Sequence, residues 1–289
     1  MSSKIYFKNH RRFSVKRKAV SVITGLHYLL APKHAKKTAR KLFLTPVKGR
    51  VVNREPAGLI KKTINTSEGE LMTYQIGNGP MWLLSHGWSG SSSQFYPLME
   101  HIANAGFTAL AYDQPAHGES EGTHSSLPSF VTALNDLLGQ FDHIEGLVTH
   151  SMAGAGALES THPSLSGKPV LLIAPVLNYR DNLYGTVRAS GYSMRLFDEV
   201  VKEVEDKYSY PIFSIDPFEK LKSRRSKVVI VHDRHDRFAN FGPSMEAAGW
   251  DHVHLVATEG LGHGRIMKSQ ALFDAFDMLA LSAGYPSGN

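Results

Sequence analysis

The stretch Glu145-Gly146-Leu147-Val148-Thr149-His150-Ser151-Met152-Ala153-Gly154-Ala155-Gly156 decides the fold. Gly146 to Thr149 is a short apolar run of the kind a buried strand requires, and Met152 to Leu158 begins a helix with small residues that can pack closely on a sheet. Ser151 stands between them. An abrupt strand-to-helix turn around one serine is a nucleophile elbow, which lifts Oγ above the sheet and leaves helix-start N–H groups beside it. The usual pattern is G-x-S-x-G, and here its outer places hold Thr149 and Ala153. Ala153 adds one methyl group and Gly154 follows at once, so the departure is tolerable. An ordinary strand-to-helix turn is the alternative for this motif alone.

The order of the other segments separates the two readings. Met81 to Ser85 is an apolar strand running into His86-Gly87-Trp88-Ser89-Gly90, and Phe107 to Tyr112 runs into Asp113-Gln114-Pro115-Ala116-His117-Gly118-Glu119-Ser120. Downstream, Val228 to Val231 leads to His232-Asp233-Arg234-His235-Asp236, and His252 to Ala257 leads to Glu259-Gly260-Leu261-Gly262-His263-Gly264. Serine, acid and histidine thus follow in the order Ser151, Asp236, His263. Over roughly residues 65–283 the chain resembles a bacterial serine hydrolase of the α/β-hydrolase fold, esterase- or lipase-like.

A serine hydroxyl needs a base to take its proton, and imidazole suits that near neutral pH. The resemblance gives Ser151 the nucleophile's place and His263, after the last expected strand, the base's. It gives Asp236 the acid that fixes the imidazole tautomer, with Asp233 as the rival. It also implies an oxyanion hole from the N–H groups of Met152 and Trp88, the Trp88 ring forming part of the pocket wall. His86, Asp113 and His117 read as structural braces.

The 289 residues contain no cysteine, which excludes disulfides, iron–sulfur clusters and a thiol nucleophile. No compact metal-ligand spacing is present, and the histidines at 232–236 and 252–254 fit a turn and an alternating strand, so no metal and no cofactor is expected. The expected architecture is α/β, with a mostly parallel sheet flanked by helices over residues 51–289. A helical cap is inserted at about 177–226, and residues 1–50 form a basic helical extension. The cap region holds Tyr179, Tyr184, Tyr192, Phe197, Tyr208, Tyr210 and Phe213, pointing to an apolar acyl pocket, although packing within the cap is an equal use for these rings.

Charge is concentrated at one end. Residues 1–50 hold 14 Lys+Arg and no acid, whereas the rest holds 18 Lys+Arg against 26 Asp+Glu. Ala19, Val22, Ile23, Leu26, Leu29 and Leu30 recur at helical spacing before Pro32; Ala35, Ala39, Leu42 and Phe43 do so before Pro46. Three uses are open for this arm: docking on the hydrolase core, contact with an anionic membrane surface, or targeting. The first is expected, through Val22, Ile23, Leu26, Leu29, Leu42 and Phe43 with Lys and Arg outward. No run is long enough to span a membrane, and the arm's aromatics do not interleave with its bases as nucleic-acid binding requires. The expectation is therefore a cytoplasmic enzyme, with membrane association through residues 1–50 as the alternative, acting on a small-molecule carboxylic ester or thioester and binding no nucleic acid. Cleavage of a C–C bond or lactone on the same three residues is a second reading, and a non-catalytic binding protein of this fold a third.

Overall fold

A computed structural model describes residues 15–48 and 52–282. Six consecutive apolar runs form a parallel sheet: β3 (Met81–Ser85), β4 (Thr108–Tyr112), β5 (Gly146–His150), β6 (Val170–Ile173), β7 (Val228–Asp233) and β8 (Val253–Thr258). A hairpin of β1 (Ile60–Thr66) and β2 (Gly69–Ile76) adds to one edge, giving the order β1-β2-β4-β3-β5-β6-β7-β8. The β1–β2 and β2–β4 pairings are antiparallel and the rest parallel. The fold is that of the α/β hydrolases.

The two-residue pleat divides each strand between two cores. Trp82, Leu84, Leu171, Ile173, Val229 and Val231 face one side, where α3 (Tyr96–Asn104) and α11 (Gln270–Ser282) cover them. The Trp82 ring meets Phe276 edge-on at 4.9 Å there. Leu83, Leu147, Leu172, Val228 and Ile230 face the other side, under α4 (Leu127–Leu138) and α5 (Met152–Glu159). β3 to β7 are buried on both faces and need continuous apolar runs, which made them legible, whereas the edge strand β8 is partly exposed and reads as an alternating strand. The hairpin was not read from the sequence. β1 carries Lys61 and Lys62 and is largely exposed, so the hydrophobic pattern of an edge strand is weak.

Between β6 and β7 the chain forms α6 (Tyr179–Ser190), α7 (Met194–Tyr208) and α8 (Pro217–Ser223). Glu159 at the end of α5 is buried and accepts hydrogen bonds from the Asp216 N–H at 2.7 Å and the Tyr210 hydroxyl at 2.6 Å, which ties this segment to the helix that follows Ser151.

The arm corrects the sequence-based expectation. Its two helices form where expected, as α1 (Val15–Leu30) and α2 (Pro32–Leu44), while residues 1–14 lie outside the described residues. Their packing differs. Val22, Ile23, Leu26, Leu29 and Leu42 are all more than half exposed. Contact is made instead by the small residues of α2, with Ala35 and Ala39 fully buried against Leu196 and Val200 of α7. Tyr28, Phe43, Leu44 and Tyr192 surround that patch, and the Phe43 ring meets Tyr192 edge-on at 5.0 Å. Nor do all the bases face outward: Lys36 pairs with Glu199 and Arg40 with Glu203, each at 2.6 Å. Alanine lets two helix backbones approach closely, whereas the branched residues of α1 do not fit such a contact. Pairs this exposed orient α2 on α7 more than they stabilise it.

Ala39→Glu, which forces a charge into the α2–α7 contact, is expected to destabilise the protein by roughly 1–3 kcal/mol. The readout is a lowered melting temperature with faster proteolysis of residues 15–48; an unchanged melting temperature would refute the docking.

Candidate active site

Ser151 links β5 to α5 with φ 58° and ψ −122°, a conformation that a side-chain-bearing residue rarely adopts. Its N–H donates to the Ile173 carbonyl at 2.9 Å, locking the turn onto β6. The two departures from the usual glycines are accommodated locally. Thr149 is fully buried, and Gly154 supplies the space: a Cβ there would stand 3.3 Å from both Thr149 Oγ1 and Pro175 Cβ. The glycine has moved one place along the helix.

His263 lies in the short helix α10 (Gly262–Arg265), after β8. Its Nε2 stands 2.9 Å from Ser151 Oγ and its Nδ1 2.6 Å from Asp236 Oδ2. Asp236 Oδ1 accepts the Phe238 N–H at 2.7 Å and the Ala239 N–H at 3.1 Å. Burial alone would raise this carboxyl's pKa. The nearby His232 ring, with Nε2 at 3.5 Å, and the hydrogen bonds from His263 and the Phe238 N–H overcome burial and hold it well below the ordinary carboxylate range. The group is therefore an anion facing the imidazole, and the three residues form one hydrogen-bonded chain able to draw the proton from Ser151 Oγ and stabilise the resulting imidazolium.

Asp233, the rival acid, is placed elsewhere. Its buried carboxylate accepts the His235 N–H, the Thr258 hydroxyl and the Leu261 N–H at 2.8–3.0 Å. It fastens the end of β7 to the loop that carries His263 without touching the ring.

Gly87 runs directly against the elbow: a Cβ there would lie 2.7 Å from Ser151 Cβ. Only a glycine lets the loop after β3, which continues into Trp88, come this close. Met152 is the first residue of α5, so its N–H is among the helix-start donors without an intrahelical acceptor. Two neutral histidines hold the loop. His86 Nδ1 donates to the Gly87 carbonyl at 2.8 Å and Nε2 accepts the Gln114 N–H at 3.0 Å. His117 Nδ1 donates to the Pro115 carbonyl at 2.9 Å and Nε2 accepts the Ser89 N–H at 3.0 Å. Asp113 accepts the Ser92 N–H, the Glu119 N–H and the Tyr74 hydroxyl. All three are braces.

Two further histidines were read in the sequence as flanking or turn residues. His150 is buried, and its Nε2 donates to the His263 carbonyl at 3.1 Å with the two rings 4.7 Å apart. His232 is fully buried, with Nδ1 at 2.8 Å from Ser244 Oγ and Nε2 at 3.5 Å from Asp236 Oδ2. Neither has a sequence signal beyond adjacency to Ser151 or to the acid's turn. Phe238 was also missed, and its ring lies 5.2 Å from that of His263. Of the aromatics between β6 and β7, Tyr179 and Tyr184 pack with Met152 and Leu183 around Leu127, Ala155, Ile212 and Ile215. Phe197 instead meets Phe43 and Tyr184, and Phe213 is exposed. Recesses of about 320 and 230 Å³ lie away from Ser151, one between α2 and α7 and one beside α8.

A sequence model described as the alpha/beta hydrolase family matches residues 82–275. No protein of curated function matches in sequence. Among solved structures, an esterase from Pyrococcus furiosus is 16% identical with a TM-score of 0.61, covering 84% of this chain and 98% of that one. An esterase from Butyrivibrio proteoclasticus with ferulic acid bound is 14% identical (TM-score 0.58, covering 78% and 98%). A propionate-bound esterase from Thermogutta terrifontis is 17% identical (TM-score 0.58, covering 80% and 97%). At these identities the likeness is one of fold.

The bracing histidines generate a pH dependence. Burial pushes both His117 and His150 down to about 3, against about 6.5 in an unfolded chain. Between those values the unfolded state binds protons that the folded state refuses, so stability must fall as pH falls. The slope is about 1.4 kcal/mol per pH unit for each group. Thermal melts across that window should show the loss, with a shallower slope in His117→Gln. Equal slopes in the two proteins would disprove the assignment.

Proposed function

Because this chain belongs to the alpha/beta hydrolase family, we propose that it hydrolyses a carboxylic ester through an acyl-enzyme formed on Ser151. The observation that carries the reading is the relay from Ser151 Oγ through His263 to Asp236, with contacts of 2.9 and 2.6 Å. Oγ attacks the ester carbonyl carbon as His263 Nε2 takes its proton. The carbonyl oxygen gains the negative charge between the N–H groups of Trp88 and Met152, where each donor contributes a factor of about 10²–10³. Collapse breaks the bond to the alkoxy oxygen, and the imidazolium returns the proton to that oxygen as the alcohol leaves. Water then attacks the acyl carbon, His263 takes its proton and returns it to Oγ, and the carboxylic acid departs. Asp236 stays ionised throughout and fixes the tautomer with Nδ1–H toward itself.

Met152, Tyr179 and Leu183 cluster where α5 leaves the elbow, and the Phe238 ring lies 5.2 Å from that of His263, so an acyl group on Ser151 would meet an apolar setting. The acids bound in two of the similar structures, ferulate and propionate, are the class of product this reaction releases. Short to medium acyl esters fit such walls better than peptides.

Ser151→Ala should abolish both hydrolysis of butyrate and hexanoate esters and labelling by a fluorophosphonate, with the melting temperature retained. Label at another serine, or peptidase activity exceeding esterase activity, would reject the proposal. A folded protein that neither labels nor turns over would point to a binding protein.

The two aspartates give an independent check. Asp236→Asn should lower kcat by about 10⁴ through the wrong imidazole tautomer. Asp233→Asn should mainly lower the melting temperature, since it loosens the loop rather than the ring. The reverse ranking on kcat would exchange their roles.

A further inference from the structure

α1 turns its apolar side away from the protein. At 100° per residue, Val15, Val22, Ile23, Leu26, Leu29 and Leu30 fall within an arc of about 120°. All six are exposed, from 51% at Leu26 to 79% at Leu30. The opposite side faces inward: Thr24 Oγ1 accepts the Ser193 N–H at 3.1 Å, and the Tyr28 hydroxyl donates to Glu199 at 3.0 Å. A helix that turns half-buried polar groups toward the protein and exposes six large apolar ones is inverted relative to the ordinary surface helix.

The charge around this stripe is of one sign. Lys16 and Lys18 border it on its two sides, and neither α1 nor α2 contains an acid. Lys36 and Arg40 are engaged by α7, but Lys33, Lys37 and Lys41 lie opposite the buried Ala35 and Ala39 on α2, exposed and without an ion pair among the described residues. Beyond residue 50 the chain is net negative, with 18 Lys+Arg and 26 Asp+Glu, so the rest of the molecule would be repelled by the surface that attracts the arm.

We propose that α1 lies in the interface of an anionic lipid bilayer, its Val15-to-Leu30 stripe among the acyl chains and the arm's lysines against the headgroups. Apolar area and basic flanks are the two contributions that hold such helices in place. Spanning is not at issue, since no helix among the described residues is long and apolar enough to cross a membrane. A second copy of the chain fits the stripe less well. Pairing two α1 helices would bring their bordering lysines together with no carboxylate on either helix to compensate. The proposal does not depend on which ester is cleaved.

The test is sedimentation of the full chain with vesicles of phosphatidylcholine alone and of equal parts phosphatidylcholine and phosphatidylserine. Binding is expected only with phosphatidylserine. Ile23→Glu combined with Leu26→Glu should abolish it, at unchanged melting temperature because both positions are exposed. Replacing Lys33, Lys37 and Lys41 by Gln should weaken binding roughly fivefold per residue at low salt, and added salt should shrink that difference. Equal binding to both vesicle types, no binding to either, or unaltered binding by the glutamate variant would each overturn the proposal. So would a dimer in sedimentation equilibrium that the glutamate variant dissolves while the wild type ignores vesicles.

Discussion

Everything at this site hangs on one backbone conformation. Ser151 sits at positive φ, a cost of about 1–3 kcal/mol for a residue with a side chain, and the packing on either side, together with the hydrogen bond from its N–H to the Ile173 carbonyl, keeps it there. β5 is buried over its whole length between β3 and β6, and α5 is buried from Ala153 to Glu159. With both ends fixed, the single residue between them must reverse the chain. That geometry sets Oγ 2.9 Å from His263 Nε2 and begins α5 at the next residue, so the contact of the hydroxyl and a helix-start N–H without an intrahelical acceptor come from a single constraint.

The other groups converge because a parallel sheet sends its strand ends in one direction. His86 to Ser89 follow β3, Asp236 follows β7 and His263 follows β8, all on the side where β5 ends in Ser151. Convergence within hydrogen-bond distance then needs loops that do not drift. The chain fixes them with buried neutral histidines and one carboxylate: His86 and His117 on the loop after β3, Asp233 on the loop before His263, and His150 on the His263 carbonyl. Imidazole suits this task because each ring can donate at one nitrogen and accept at the other. Burial keeps His86, His117 and His150 uncharged, so the braces add no positive field beside the base.

The sequence made the sheet and the relay legible. Strands buried on both faces must be apolar throughout, and the resemblance put the three candidate residues just past strand ends, where Ser151, His263 and Asp236 meet in one hydrogen-bonded chain. The β1–β2 hairpin was hidden because an exposed edge strand tolerates Lys61 and Lys62. The braces were hidden because a buried histidine differs from a surface one only in its partners. His150 and His232 became meaningful when the carbonyl of a residue 113 positions away and the acid of the relay were placed beside them. Asp236 was preferred to Asp233 on the resemblance alone, and since both close the same turn, only the contacts distinguish them, Asp236 lying on the His263 ring and Asp233 on the Leu261 N–H. In the arm, helical periodicity located α1 and α2 correctly, but it ranks residues by hydrophobicity and not by fit. It therefore assigned the contact to the leucines and valines, when alanines made it.

That misassignment bears on how the arm relates to the site. α2 docks on α7 through a shallow, close contact, and the chain leaving it passes the loop that carries Trp88. The buried Pro46 is followed by Val47, whose N–H donates to Ser89 Oγ at 3.0 Å. The Leu44 carbonyl accepts the Ser125 N–H at 2.7 Å just before it. The arm is thus anchored at two ends of one path, on α7 and on the loop beside the elbow. α1, with its apolar stripe turned outward, is joined through α2 both to α7 and to the loop after β3, whose Gly87 runs against Ser151, so the arm and the elbow share one continuous set of contacts outside the sheet.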